Sequence, residues 1–431
     1  METPLDTMPP ANSSSQATGD RWQVRLVIGA ALVAMCLKFY CAWTTIGSND
    51  VLIAFNFGRD IYNLGLDGMY HESDWFNHTP ATGSFFCLSY TLAKELSPPG
   101  THNHGYFPFI LRFPMIIADF LVLLILLRIR EKTGQPPVWA LVFFALSPVS
   151  FMVTGYHGNV DPMLVFFLMA AAYFCAMEEH PAACGLLFGL SCNVKIIPIL
   201  FAPVFFFFLL HRGGRQGLYF LLASGLTCLV GWSAALLGSP ELFLKNVASY
   251  NGFWGIWGIS YWLGEMPWKQ FHTVGSFDLP PAQVHVVMFL KLLIILGVLV
   301  LAWTRRKCRG IEYFSTLALA WTVFFVFAPG IAAQYLIWLA PFILLYSPWW
   351  YLALTVTSTA FLFVFYNTIS HGMPWHYGDS KLWMFPIWTP WTNLPWLVLI
   401  GLLVAKVFWS AQPAIESSTI AAQPVATEIG G

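Results

Sequence analysis

The sequence predicts an all-α, polytopic membrane protein with about twelve transmembrane helices and a long first outer loop that carries interfacial helices. Three observations predict it. Of the 431 residues, 57% are hydrophobic and only 10% are charged. The mean hydropathy is +0.64. Apolar runs of roughly twenty residues, the length that crosses a hydrocarbon core, recur along the chain.

Residues 1–23 are rich in Pro, Ser, Thr, Asn and Asp and read as a disordered cytoplasmic N-terminus. Apolar runs follow near 24–43, 107–127, 138–155, 161–177, 182–194, 196–210, 217–237, 284–303, 313–328, 334–346, 349–367 and 393–409, so that 24–409 forms one membrane domain. The first run is too long for a secretory leader and has no small-residue cleavage site, which makes it an uncleaved first helix. Residues 410–431, an Ala, Thr and Ser stretch of low complexity, read as a disordered tail.

Positive charge orients the runs. Arg128, Arg130 and Lys132, then Arg212 and Arg215, then Arg305, Arg306, Lys307 and Arg309 fall in alternate short loops, which places those loops in the cytoplasm. The opposite loops are long, aromatic and rich in Gly and Pro, as loops that shape a site are. The active face is therefore expected outside, periplasmic if the membrane is a bacterial inner membrane, the preferred reading, or lumenal if it is endoplasmic reticulum.

Several classes are excluded or unsupported. The formal net charge is +0 and no long basic run exists, so nucleic acid is not an expected partner. The eight Cys form no Cys-x-x-Cys pair and read as small core hydrophobes. Phosphate-loop, nucleophile-elbow and His-Glu-x-x-His motifs are absent, so no cofactor is expected and no metal ligands are indicated, although the sequence leaves a divalent ion open.

The polar residues at the outer ends of the helices are the candidates. Asp50, in Gly47-Ser48-Asn49-Asp50, abuts the first apolar helix at the water interface. A carboxylate there can act as a base or cap a helix. His78 stands in the same outer loop. His157, Asn159 and Asp161 interrupt two apolar runs, and Asp161 before Pro162 suits a helix N-cap. Lys195 is a cation on the outer side, which must meet an anion such as a lipid phosphate or snorkel to headgroups. Gln334 and Tyr335, with Trp338, form a platform that can hydrogen-bond and stack on a sugar, or else an interface belt. His376, with His371, lies in the last outer loop and can meet a phosphate or be solvated.

These residues carry a resemblance. The pattern resembles the GT-C superfamily of integral-membrane glycosyltransferases, in which an acidic residue of the first outer loop is characteristic, and Asp50 is the matching position. The stretch Asn77-His78-Thr79-Pro80-Ala81-Thr82 is similar to a Pro-Pro-Leu-Thr stretch of dolichyl-phosphate-glucose-dependent glucosyltransferases. His157-Gly158-Asn159-Val160-Asp161, Val194-Lys195-Ile196-Ile197-Pro198, and Gln334-Tyr335 with Trp338 and Pro341 resemble glycosyltransferase family 87 and the catalytic subunit of the GPI mannosyltransferases. Many members have a second acid two residues on, whereas Val51 and Leu52 follow Asp50 here.

The resemblance implies an inverting transfer of a hexose, mannose ahead of others, from a polyprenyl-phosphate sugar to a lipid-linked or glycan acceptor among the membrane lipids. Asp50 would be the base. Lys195, His78 and His376 would meet the donor phosphate, and His157, Asn159, Asp161, Gln334 and Tyr335 would hold sugar or acceptor. The alternative is a transporter or flippase of a lipid-linked sugar, which calls for ionisable groups at mid-membrane.

Overall fold

The computed structural model describes residues 13–98, 104–248, 254–266 and 279–410, which are helical apart from one two-residue strand pairing and the connecting turns. Among the described residues seven helical stretches are long and apolar enough to cross a membrane, and five more apolar helices are shorter. The protein is an all-α polytopic membrane protein.

Helix α1 (Ser13–Thr44) begins well ahead of its apolar run. Residues 13–23, expected to be disordered, are therefore helical, because extending an existing helix is far cheaper than nucleating one. The rest of the two expected disordered ends, 1–12 and 411–431, lies outside the described residues. Strand β1 (Gly47–Ser48) leads into α2 (Asn49–Glu72), which kinks at Gly65, and then α3 (Pro80–Leu96). These are the helices expected for the first outer loop. Ser48 caps α2 by accepting from the Asp50 amide, and Thr79 caps α3 with Pro80 in its first turn.

The bundle continues with α4 (Phe107–Thr133), α5 (Val138–Ala145) and the short α6 (Pro148–Ser150), which passes into a π-helix at Phe151–His157. Next come α7 (Asp161–Ala176), α8 (Pro181–Val194), α9 (Ala202–Arg212) and α10 (Gly214–Gly238). The short α11 (Pro240–Phe243) and α12 (Gly258–Glu265) precede α13 (Pro281–Thr304) and α14 (Ile311–Phe327). A 3-10 turn at Ala333–Ile337 opens α15 (Ala340–Tyr346), followed by α16 (Pro348–Ile369). Strand β2 (Tyr377–Gly378), α17 (Phe385–Trp388) and α18 (Asn393–Ser410) complete the chain.

Helix α8 packs between α7 and α10, and α4 packs between α1 and α7. Aromatic side chains fill the seams: Phe205 stacks on Phe220 at 5.8 Å, and Phe201 packs on Trp321 at 4.2 Å. The two ends of the bundle differ in charge. Arg130 donates to Gln23 at 3.0 Å, Lys132 pairs with Glu178 at 2.7 Å and Arg212 with Glu179 at 2.6 Å. The start of α1, the end of α4, the α7–α8 turn and the end of α9 thus meet at one basic end. The 27 residues of α4 span about 40 Å, and its other end carries the site.

Candidate functional site

Asp50 enters the site as the second residue of α2, directly after the turn that ends α1. That turn is fixed from three directions. Ile46 and Gly47 amides donate to the His376 carbonyl at 2.9 and 3.1 Å, β1 pairs in parallel with β2, and the Ser48 hydroxyl donates to the His157 carbonyl at 2.8 Å.

Arg112 of α4, wholly buried, binds the same region from below. Its Nε donates to Pro108 O at 2.8 Å. Nη1 donates to Gly155 O and Tyr156 O, both at 3.0 Å, and to Thr45 Oγ1 at 3.1 Å. Nη2 donates to Ala42 O at 3.0 Å and to Thr45 O. No carboxylate faces this guanidinium in these bonds. The carbonyls at the ends of α1 and of the π-helix, which have no partner within their own helices, offset its charge instead.

Three donors from distant parts of the chain converge on one oxygen of Asp50. His157 Nε2 lies 3.0 Å from Oδ2, Asn159 Nδ2 donates to it at 2.8 Å, and Gln334 Nε2 at 3.2 Å. Among the described residues Oδ1 takes none of these bonds, and the side chain stays 29% exposed. Tyr366 Oη lies 2.9 Å from His157 Nδ1. Partners on both ring nitrogens thus fix how the imidazole is presented to Asp50. Gly158 closes the π-helix at φ 82°, and a Cβ on it would lie 2.3 Å from Val51 Cγ2. Only glycine lets Asn159 turn back toward Asp50.

The charges around Asp50 set its ionisation. Burial favours the neutral acid, but the His157 charge, the hydrogen bonds from His157 and Asn159, and the Lys195 charge together outweigh it and hold the carboxyl at about 2. His78 moves the other way. Burial, then the nearby Lys195 charge, lower it to about 3 against the opposing pull of Asp50, so its ring is neutral at physiological pH. The ring packs edge-on to Phe86 at 5.1 Å and Phe57 at 5.9 Å.

Lys195 closes the site from the end of α8. Its Nζ pairs with both oxygens of Asp161 at 2.8 and 3.1 Å. It also lies over the rings of Tyr335 and Trp338, at 4.8 and 5.4 Å from their centroids. Thr79 donates to Asn193 O, and Thr82 donates to Val194 O at 2.7 Å, which ties the His78 loop to the last carbonyls of α8.

Of the sequence-derived candidates, the structure thus brings Asp50, His157, Asn159 and Gln334 into direct contact and sets Lys195, Asp161 and Tyr335 beside one another. Four expectations change in detail. Asp161 is not an N-cap: Val160 holds that position, and the Asp161 carboxylate, with no exposure, is taken by Lys195 and by Trp338 Nε1 at 2.5 Å. Trp338 does not offer an open face, since Tyr335 stacks on it at 3.8 Å. His376 contributes its backbone to the Asp50 turn, and its exposed ring makes no hydrogen bond among the described residues. His78, expected to meet the donor phosphate, would do so as an uncharged ring.

Arg112, Tyr366 and an ion pair of buried Lys38 with half-buried Asp119 were not among the sequence candidates. Three of the four had a signal, being charges inside apolar runs, which are functional by default. Tyr366, one of 16 tyrosines, had none. Among the described residues no three or more His, Cys, Asp or Glu side chains gather as a metal site.

The sequence model of glycosyltransferase family 87 matches residues 109–329, just over half of the chain. Over 90 residues the chain is 31% identical to GPI mannosyltransferase 1 of Kluyveromyces lactis, an alignment that covers 21% of this chain and 22% of that relative. The matched family region holds His157, Asn159, Asp161 and Lys195 together with Arg112, and the chain belongs to glycosyltransferase family 87.

Proposed function

We propose that this protein is an inverting hexosyltransferase that takes a sugar from a polyprenyl-phosphate carrier and passes it to a lipid-linked or glycan acceptor at the outer (periplasmic or lumenal) face of its membrane. Mannose is the preferred sugar, in keeping with the name of the yeast relative, a GPI mannosyltransferase. The observation that carries the reading is the division of labour at Asp50. Three donors hold Oδ2, and Oδ1 is left for an acceptor hydroxyl.

In this reaction the acceptor oxygen attacks the anomeric carbon while the bond from that carbon to the donor phosphate breaks on the opposite side, inverting the centre. The hydroxyl proton passes to Asp50 Oδ1. A carboxylate at about 2 is a weak base, so it orients the hydroxyl from the start and takes the proton late, once the forming bond has made the oxygen acidic. Lys195 supplies positive charge to the departing phosphate, with the neutral His78 as a hydrogen-bond donor beside it and His376 at the outer edge. His157, Asn159 and Gln334 act on the acceptor through Asp50, and Tyr335 offers its ring edge and hydroxyl to the sugar. No cofactor enters this reading.

The test is incubation of the purified protein with radiolabelled polyprenyl-phosphate sugars in vesicles that contain acceptor lipid, beside an Asp50→Asn variant. Label joined to acceptor by the wild type and not by the variant supports the reading. Label crossing the bilayer still attached to its carrier supports the flippase instead. Transfer by Asp50→Asn within a few-fold of wild type removes Asp50 from the base position.

A further inference from the structure

The π-helix that delivers His157 to Asp50 is gripped along its length by a buried cation. Lys38 of α1 is 3% exposed. Its Nζ pairs with Asp119 of α4 and donates to Ser150 Oγ at 2.7 Å, and Ser150 Oγ in turn donates to Asp119 Oδ2 at 2.9 Å. Ser150 is the residue immediately before the π-helix. The aliphatic stem of Lys38 runs across the other end of the same element. A Cβ placed on Gly155 would lie 3.2 Å from Lys38 Cγ and 3.3 Å from its Cα. The carbonyl of Gly155 accepts from Arg112 at 3.0 Å.

An ion pair inside a membrane bundle is costly and is weak evidence for stability, since neutral side chains of the same size commonly serve as well or better. A π-helix inserts an extra residue into a helical turn and rotates everything beyond it, so its register decides where His157 points. Lys38 touches the register at both ends, at Ser150 through its head and at Gly155 through its stem.

We propose that Lys38, with Asp119 and Ser150, is a positioning device for the transfer reaction, which holds the π-helix in the register that aims His157 Nε2 at Asp50. The proposal rests on Asp50 acting as the base. It requires that geometry at Asp50, and not donor binding or global stability, be lost when the pair is removed.

The experiment compares Lys38→Met/Asp119→Asn and Gly155→Ala with wild type, measuring kcat, donor KM and thermal stability in detergent, with Asp50→Asn alongside. The double variant removes both charges and keeps side-chain volume. Gly155→Ala leaves the charges and crowds the contact between the π-helix and Lys38, whose backbone Cα lies 3.3 Å from the added Cβ. The expected result is a kcat lowered roughly 10- to 100-fold in the double variant and several-fold in Gly155→Ala, the range expected when catalytic groups shift by about 1 Å or less, with donor KM within about twofold and the melting temperature held. A double variant that melts like wild type and keeps wild-type kcat overturns the proposal. If the double variant fails to fold, Gly155→Ala decides: unchanged kcat overturns, and lowered kcat at unchanged KM supports. An active Asp50→Asn overturns the base reading itself, whereas an inactive Asp50→Asn beside a fully active double variant overturns only the role of Lys38.

Discussion

Lys195 Nζ is chelated by Asp161, whose two carboxylate oxygens lie at 2.8 and 3.1 Å and have no solvent exposure. The cation at the end of α8 is thereby part of an ion pair, steadied by the faces of Tyr335 and Trp338. A phosphate approaching the exposed side of Lys195 meets a cation already aimed by Asp161, without the entropy cost of ordering a free side chain.

Replacing Lys195 should therefore do two separable things. Lys195→Ala leaves Asp161 buried with Trp338 as its remaining partner, which should lower stability by about 3 kcal/mol. It should also raise donor KM roughly ten- to hundredfold, the worth of a charge-assisted hydrogen bond. The double variant Lys195→Ala/Asp161→Asn should recover the stability and not the KM. Lys195→Arg should retain part of the activity. Normal donor KM in Lys195→Ala would leave only a structural pair, and calorimetry with steady-state kinetics on the same preparations distinguishes the two.

The pH response follows from the signs of two shifts. Asp50, held at about 2, is ionised from about pH 5 to 8, so it should contribute no acid limb to the transfer rate in that window. His78 is lowered from 6.5 to about 3, so the unfolded chain takes its proton before the folded one does. Its contribution to stability is complete above 6.5 and is lost as pH falls toward 3. Asp50 adds a loss of the same sign lower down, between 3.8 and about 2. Melting temperatures at about pH 7 and pH 5 should fall with acid in wild type and fall less in His78→Gln. Equal falls in the two proteins would show that His78 is not held neutral.

Tyr366 offers a sharper probe of His157 than changing the histidine itself. Tyr366→Phe keeps the ring, which packs edge-on to Tyr156 at 5.3 Å, and removes the hydroxyl partner of Nδ1. A buried ring nitrogen left without a partner costs about 1–3 kcal/mol, and the imidazole is free to turn away from Asp50. kcat should fall about tenfold while donor KM stays near wild type. A variant of lowered stability with unchanged kcat would confine Tyr366 to packing.

Much of this arrangement is legible in the sequence. The apolar runs predicted the spans to within a few residues at most ends, because a bilayer imposes length and composition directly on the chain. Asp50, His157, Lys195 and Gln334 stood out because each is polar at the end of an apolar run. What the runs could not show is direction. Whether Asp161 caps its helix or reaches Lys195 depends on how α7 packs on α8, and whether Trp338 is open or covered depends on the 3-10 turn that stacks Tyr335 on it. The π-helix left no trace either, since one extra residue in a turn does not disturb a hydrophobic run.

The separation of charge along α4 makes orientation the most exposed prediction. Arg112 sits at the Asp50 end, whereas Arg128 and Arg130 lie in the last turns, about 25 Å further along the helix axis. The basic ends of α9 and of α13 lie with Arg130, since Phe207 near Arg212 packs on Trp303 near Arg306 at 5.5 Å. Under the positive-inside rule the Arg128, Arg212 and Arg306 loops are cytoplasmic, and Asp50, His78, His157, Lys195 and Gln334 open to the other side. Single cysteines introduced near Asp50 and near Arg306 of a protein freed of its eight native Cys, in oriented vesicles, should react with an impermeant maleimide from opposite sides. Reaction of both from one side would place the site in the wrong compartment for a carrier-linked donor presented at the outer face, and the proposed reaction would fall with the topology.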